Sequence, residues 1–220
     1  MTGVPPAFAL RPLRLSDVAE IATIHRAAFS RSAITKLGPV ATRRYYDWLL
    51  TGPHDQLAIG AFEGDLMVGF LFGGLFRGAM SGFLNKNRTY LAWRVATRPW
   101  LLANPLFRNR LGKALTIFAR QRKKPSVEQI FATVGRRRSF GILAIATDPG
   151  RQGRGVGRAL MQHAEDAART GDFTRMNLSV LPENRTAVRF YEGLGWEKVG
   201  TEHEWGGYMT KDVGKQPVVE

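Results

Sequence analysis

The sequence predicts a mixed α/β (α+β) fold that carries one basic, mainly helical insertion. Three observations predict it. Apolar runs of strand length alternate with segments whose apolar residues recur at helical spacing. Around residues 140–180 a strand, a glycine-rich turn, a helix and a second strand follow one another, an order that brings a crossover connection. The excess positive charge is confined to one stretch between two such runs, as an insertion into a neutral scaffold would leave it.

Residues 8–15 (FALRPLRL) read as a first strand, which Pro12 restricts to a sheet edge because proline lacks a ladder N–H. Ser16 is the expected cap of a helix in which Val18, Ile21, Ala22, Ile24 and Ala28 share one face. A second helix is expected over 39–50, with Tyr45, Trp48 and Leu49 as its apolar side and Gly52-Pro53 as its stop. Residues 57–62 and 66–75 are apolar runs joined by Glu63-Gly64-Asp65, the pattern of an antiparallel hairpin. Segment 77–138 follows, helical in pieces broken at Pro99, Pro105 and Pro125. Residues 140–147 (FGILAIAT) form the next strand, ended by Asp148-Pro149-Gly150. The helix behind that turn buries Val156, Leu160, Ala164, Ala167 and Ala168 and stops at Gly171. A strand at 175–180, a helix at 184–194, a strand at 195–200 and a hairpin strand at 204–209 complete the order. The tail after Lys211 is expected to be loose.

With 220 residues and 44% hydrophobic content, folding can hide roughly 70% of the unfolded surface, so one domain with an insertion needs no staple. The absence of cysteine excludes thiolate nucleophiles, zinc knuckles and disulfide frameworks. Residues 1–15 lack the basic and apolar pattern of a secretory signal, and the longest near-apolar run, 66–76, is short of the ~20 residues that span a bilayer. The expected location is the cytoplasm. His25, His54 and His163 have no paired metal-ligand spacing, so no metal site is expected.

The 32 Lys and Arg and 18 Asp and Glu are unevenly placed: residues 77–138 hold 15 basic residues and one acid, Glu128, while the rest of the chain holds 17 of each sign. Positive potential is thus concentrated on one segment, for steering or surface contact. Tyr90, Trp93, Trp100, Leu101 and Phe107 interleave there with arginines. The mixture suits an anionic membrane surface, phosphates of a nucleotide-linked acceptor, the backbone of RNA, or simply a solvated arginine face. Nucleic acid is the less favoured partner among these.

The turn Gln152, Gly153, Arg154, Gly155, Val156, Gly157, Arg158 lies between a strand and a helix, where helix-start amides and the dipole favour an anion and glycines admit phosphate oxygens. Arg151, Arg154 and Arg158 add charge. No Gly-Lys-Ser/Thr occurs, so a Walker loop is excluded, and a dinucleotide fingerprint is disfavoured because its third glycine falls on Arg158. No G-x-S-x-G elbow is present.

Strand, Q-x-x-G-x-G at 152–157, helix, strand, and then Asn184-Arg185-Thr186-Ala187-Val188-Arg189-Phe190-Tyr191 running into Leu194-Gly195-Trp196 together resemble the GNAT N-acetyltransferase superfamily. The resemblance implies a mixed, mostly antiparallel central sheet flanked by helices, and acetyl-CoA as co-substrate. It puts the CoA diphosphate on residues 152–158 and its pantetheine arm along Ile145, Ala146 and Thr147, as an added strand pairs with a sheet edge. Asn184 matches the asparagine that contacts this arm, and equally reads as a helix cap. Tyr191 matches the tyrosine that protonates the departing sulfur, a task open to a phenol that stays protonated at neutral pH. Segment 77–138 departs from the family pattern. No carboxylate stands on residues 140–146, where relatives often carry the base, and Glu202, His203 and Glu204 are candidates by location only.

The function implied is acetyl transfer to a primary amine of a small molecule or glycan precursor, such as an amino sugar, by direct attack on the thioester. Two alternatives stand beside it: a binding module that holds lipid or nucleic acid through segment 77–138, and a protein lysine or N-terminal acetyltransferase. Nothing in the sequence fixes the oligomeric state, and a dimer is compatible with it.

Overall fold

The computed structural model describes residues 8–76, 79–98, 139–200 and 205–214. In chain order the elements are β1 (Ala9–Pro12), α1 (Val18–Ala28), α2 (Ala33–Leu37), α3 (Pro39–Thr51), β2 (Asp55–Glu63), β3 (Leu66–Leu75), α4 (Ala79–Lys86), α5 (Arg88–Ala96), β4 (Ser139–Thr147), α6 (Val156–Thr170), β5 (Arg175–Ser179), α7 (Arg185–Glu192), β6 (Glu197–Lys198) and β7 (Tyr208–Asp212). The strands form one seven-stranded sheet in the order β1-β2-β3-β4-β5-β7-β6. β4 and β5 run parallel, and every other neighbouring pair is antiparallel. This is the expected mixed, mostly antiparallel sheet, with α6 as its crossover and the proline-bearing β1 at an edge.

The two faces of the sheet bury separate clusters, because side chains alternate across a strand. Leu71, Ile142, Met176 and Met209 pack with Leu160, Met161 and Ala164 of α6 and with Tyr191 of α7. On the other face Phe70, Phe72 and Ala146 pack with Ile21 and Ile24 of α1, Tyr46 and Leu49 of α3 and Phe83 of α4. The buried stripe of α6 also takes in Glu165, which is 7% exposed and meets Lys211 Nζ of β7 at 2.7 Å, while that ammonium donates to the Leu194 carbonyl at 2.6 Å. A carboxylate enters the core here because its cation enters with it.

Four expectations at element ends are corrected. Ser16 does not cap α1: a 3-10 turn over Leu15–Asp17 precedes the helix, and the Asp17 carboxylate turns back to accept the Arg14 amide at 2.7 Å. Arg11 donates to both Asp17 oxygens, at 2.8 and 3.0 Å, and that hydrogen bonding holds the carboxyl below its ordinary range. The strand expected at 204–209 begins later and runs to Asp212. The tail after Lys211 is not loose through Val213, which is buried and donates its amide to the Thr174 carbonyl at 3.1 Å. The strand expected over 195–200 is only Glu197–Lys198.

Of segment 77–138, residues 79–98 are described, and the rest of that expected insertion lies outside the described residues. Helices α4 and α5 join the core. Trp48 Nε1 donates to the Ala79 carbonyl at 2.8 Å, and Phe83 meets Tyr45 edge-on with ring centroids 5.3 Å apart. Arg44 stacks over Tyr90 at 4.5 Å and donates to Asn87 Oδ1, while Arg94 Nε donates to the Leu37 carbonyl at the end of α2. Arg94 thus does structural work, whereas Trp93 remains 58% exposed.

Candidate active site

The site begins with an irregularity in β4. On the β3 side Phe72 opposes Ala144 and Gly73 opposes Ile142, so Leu143 has no opposite number. One extra residue bends a strand and sharpens its twist. Pairing with β5 ends at the same point, since Ile142↔Leu178 is the last partner in that register. Beyond it β4 continues through residues 143–147 held by β3 alone, which leaves main-chain donors and acceptors on the edge facing β5. Leu143 itself is 39% exposed. The two parallel strands therefore part into a cleft whose wall is an unpaired strand edge. Ile145, Ala146 and Thr147, expected to line the site, are on that stretch.

At the end of the cleft wall stands the glycine turn. The Asp148 amide donates to the Val68 carbonyl at 2.9 Å, and the Asp148 carboxylate accepts the Gly150 amide at 2.8 Å, which folds the chain through the 3-10 turn Pro149–Arg151. Asp148 is thus a turn residue. Gly153 and Gly155 take φ of +80° and +82°, left-handed conformations that side chains disfavour, and Gly155 caps α6 in that state. A Cβ at either position would have no atom within 4 Å, so both face open space. The Ala159 amide makes the first intrahelical bond, to the Gly155 carbonyl at 3.0 Å, and the amides of Val156, Gly157 and Arg158 are left as helix-start donors. A Cβ at Gly157 would sit 3.3 Å from Phe190 Cζ and 3.7 Å from Thr147 Oγ1, so the end of β4, the first turn of α6 and α7 converge there. An open cradle of amides at a helix start, joined to a free strand edge, fits an elongated ligand with an anionic end.

The arginines of the turn are less free than their sequence suggests. Arg151 pairs with the Glu63 carboxylate, and Arg154 Nη1 lies 3.5 Å from the other oxygen of the same group. Arg158 is exposed. Glu63, at the end of β2, has no signal in the sequence beyond its place in the hairpin turn, because the contact is made only when the sheet brings that turn beside 151–154. The bulge at Leu143 is also missed by a reading that takes FGILAIAT as a regular strand, although Ile142 and Ile145 on one face betray a change of parity.

Tyr191 lies on α7, 8% exposed, with its ring against Phe190 at 5.3 Å and Trp196 at 6.1 Å between centroids. Burial pushes its phenol up to about 12. Asn184 caps α7 through its Oδ1, which accepts the Ala187 amide at 3.2 Å. Glu202, His203 and Glu204 lie outside the described residues. His25 has its Nδ1 2.7 Å from the Tyr46 hydroxyl and its Nε2 3.1 Å from Ser32 Oγ, inside the α1–α3 cluster.

Several known proteins share this architecture. The crystal structure of the ribosomal-protein-S18-alanine N-acetyltransferase of Escherichia coli superposes with a TM-score of 0.55 at 14% identity, covering 97% of this chain and 98% of that one. An N-acetyltransferase of Thermoplasma acidophilum, solved in complex with coenzyme A, gives 0.55 at 12% identity over 93% and 98% of the two chains. In sequence, a mycothiol acetyltransferase of Beutenbergia cavernae is 40% identical over 65 residues, 30% of this chain and 22% of the relative. The chain spans about a fifth of the length of the curated relatives it matches. The pattern of the acetyltransferase (GNAT) family matches residues 19–196, from the start of α1 to the tryptophan beyond α7, and the chain therefore belongs to the acetyltransferase (GNAT) family.

Proposed function

We propose that this chain transfers an acetyl group from acetyl-CoA to a primary amine of a small molecule or glycan precursor. The observation that carries the reading is the unpaired edge of β4 running straight into an open glycine turn. In this reading the amides of Gln152, Gly153, Arg154, Gly155, Val156, Gly157 and Arg158 hold the diphosphate. The main chain of Ile145, Ala146 and Thr147 pairs with the pantetheine amides as a further strand. Asn184 keeps its capping bond and stands close to this arm. The co-substrate supplies an activated thioester whose carbonyl the acceptor nitrogen attacks.

Tyr191 is the residue we assign to the departing sulfur. At neutral pH its phenol is fully protonated, so the donor is always present. Against a thiol of ordinary acidity, a phenol at about 12 gives up its proton uphill by about 5 kcal/mol. Acid catalysis by Tyr191 therefore works as a hydrogen bond that tightens while charge develops on sulfur, the proton moving as the C–S bond breaks.

Trp93, exposed on α5 in the basic stretch, favours an acceptor presented at an anionic surface. The test mixes the full chain with acetyl-CoA and a panel of amino sugars, polyamines and peptide N-termini, and follows free thiol. Thiol release that needs an amine and falls at least tenfold in Tyr191→Phe supports the reading. No acceptor-dependent release, or unchanged turnover in Tyr191→Phe, contradicts the reaction or the residue respectively.

A further inference from the structure

Glu63 is the one acid that reaches the glycine turn among the described ion pairs, and it reaches two of its arginines. Its two oxygens are not equivalent. Oε2 is bound by Arg151, whose side chain is 31% exposed, and this pair ties the β2–β3 hairpin tip to the 3-10 turn. Oε1 is buried and has no hydrogen-bond partner. Arg154 Nη1 lies 3.5 Å from it, outside hydrogen-bonding geometry, on a side chain that is 57% exposed. Arg151 is thus a strut, whereas Arg154 is held by charge alone and is free to leave. A carboxylate beside an anion cradle also repels whatever anion enters it.

We propose that Glu63 is an internal competitor for the anionic ligand: it occupies Arg154 when the cradle is empty, yields it when a diphosphate arrives, and takes it back to speed release of the product. The inference rests on the reading of residues 152–158 as a diphosphate site. An oxygen already lacking a hydrogen bond loses little when Arg154 turns away, and a phosphate offers that guanidinium the bidentate bond the carboxylate does not. Glu63 accordingly acts as a positioning residue for Arg154 and sets the affinity, with no part in bond making.

Calorimetric titration of the full chain with CoA and, in parallel, with inorganic pyrophosphate tests this on wild type, Glu63→Gln, Arg154→Ala and the double variant. Glu63→Gln keeps an oxygen for Arg151 and removes the charge. It should bind both probes about three- to tenfold tighter at low salt, with a gain that shrinks at high ionic strength. Arg154→Ala should weaken wild type about twofold and cost the Glu63→Gln background most of its gain, the relief of direct repulsion alone remaining. Equal or weaker binding by Glu63→Gln overturns the proposal. So does an Arg154→Ala loss of tenfold in wild type, which decides the matter alone if Glu63→Gln does not melt cooperatively. Pyrophosphate binding that Glu63→Gln strengthens, without CoA binding, refutes the acetyl-CoA reading and leaves this one standing. Binding of neither probe refutes both.

Discussion

Replacing Gly155 by alanine separates the two jobs assigned to the glycine turn. The residue has φ of +82°, and a Cβ there would meet no atom within 4 Å. The fold should therefore suffer backbone strain without a steric clash, about 1–2 kcal/mol for a left-handed alanine. In a chain of this size that is a fall of about 3–6 °C in the melting temperature. The methyl group would project into the space an approaching phosphate needs, so CoA affinity should fall at least tenfold, well beyond the effect on folding. Gly214→Ala is the matched control. Gly214 has φ of +60° and nothing within 4 Å of its Cβ, and it follows Val213, whose carbonyl binds Arg169 in the last turn of α6, the opposite end of that helix. That variant should lose some stability and no affinity. Thermal melts and CoA titrations on the same preparations decide the matter. A Gly155→Ala protein that binds CoA as wild type does would refute the assignment of these amides to the ligand, and a stability loss above about 4 kcal/mol would refute the claim that only strain is at stake.

Other consequences follow from the packing and the buried charges. A Cβ at Gly69 would lie 2.9 Å from Val156 Cγ1 and 3.0 Å from the Ala146 carbonyl, so Gly69→Ala should cost about 1–3 kcal/mol in urea unfolding by lifting α6 from β3; an unchanged midpoint would contradict that contact. Burial lowers His25 to about 4 from an ordinary 6.5, so its stabilising share is whole above pH 6.5 and is lost as pH falls towards 4, by about 3 kcal/mol. His25→Gln should flatten that part of the stability profile, and an unchanged slope would assign the acid sensitivity elsewhere. Lys211→Met strips the buried Glu165 of its 2.7 Å partner and leaves Arg169 at 3.5 Å, for a loss of about 2–4 kcal/mol. Adding Glu165→Leu should recover most of it, and a double variant as weak as the single would show that the pair is not the cause.

What the sequence discloses about this fold depends on the range of the interactions involved. Strands β2, β3 and β4 are readable because strand length, turn residues and apolar runs are local properties, and α6 because its apolar stripe repeats at helical spacing. The start of α1 is misread at Ser16 because a 3-10 turn over Leu15–Asp17, pinned by the Asp17 carboxylate to the Arg14 amide and to Arg11, takes Ser16 into itself and moves the helix start beyond it. α2, only Ala33–Leu37, is too short to leave a periodic trace; it is capped by Ser32 and closed at its C-terminal end by Arg94 of α5, a contact made only in the folded chain. At the site the glycines are visible and their φ angles follow from residue type. The bulge at Leu143 and the hold of Glu63 on the arginines belong to sheet register, which composition does not carry. The positive charge of segment 77–138 is legible as a number, and the work of Arg94 in it is legible only from the Leu37 carbonyl it binds.

Amide hydrogen exchange of the full chain with and without acetyl-CoA tests the central claim most directly. Added protection should concentrate in two stretches, residues 143–147 on the free edge of β4 and residues 152–158 in the glycine turn, with α4 and α5 unchanged. Saturating acetyl-CoA that leaves both stretches exchanging as before would contradict the account.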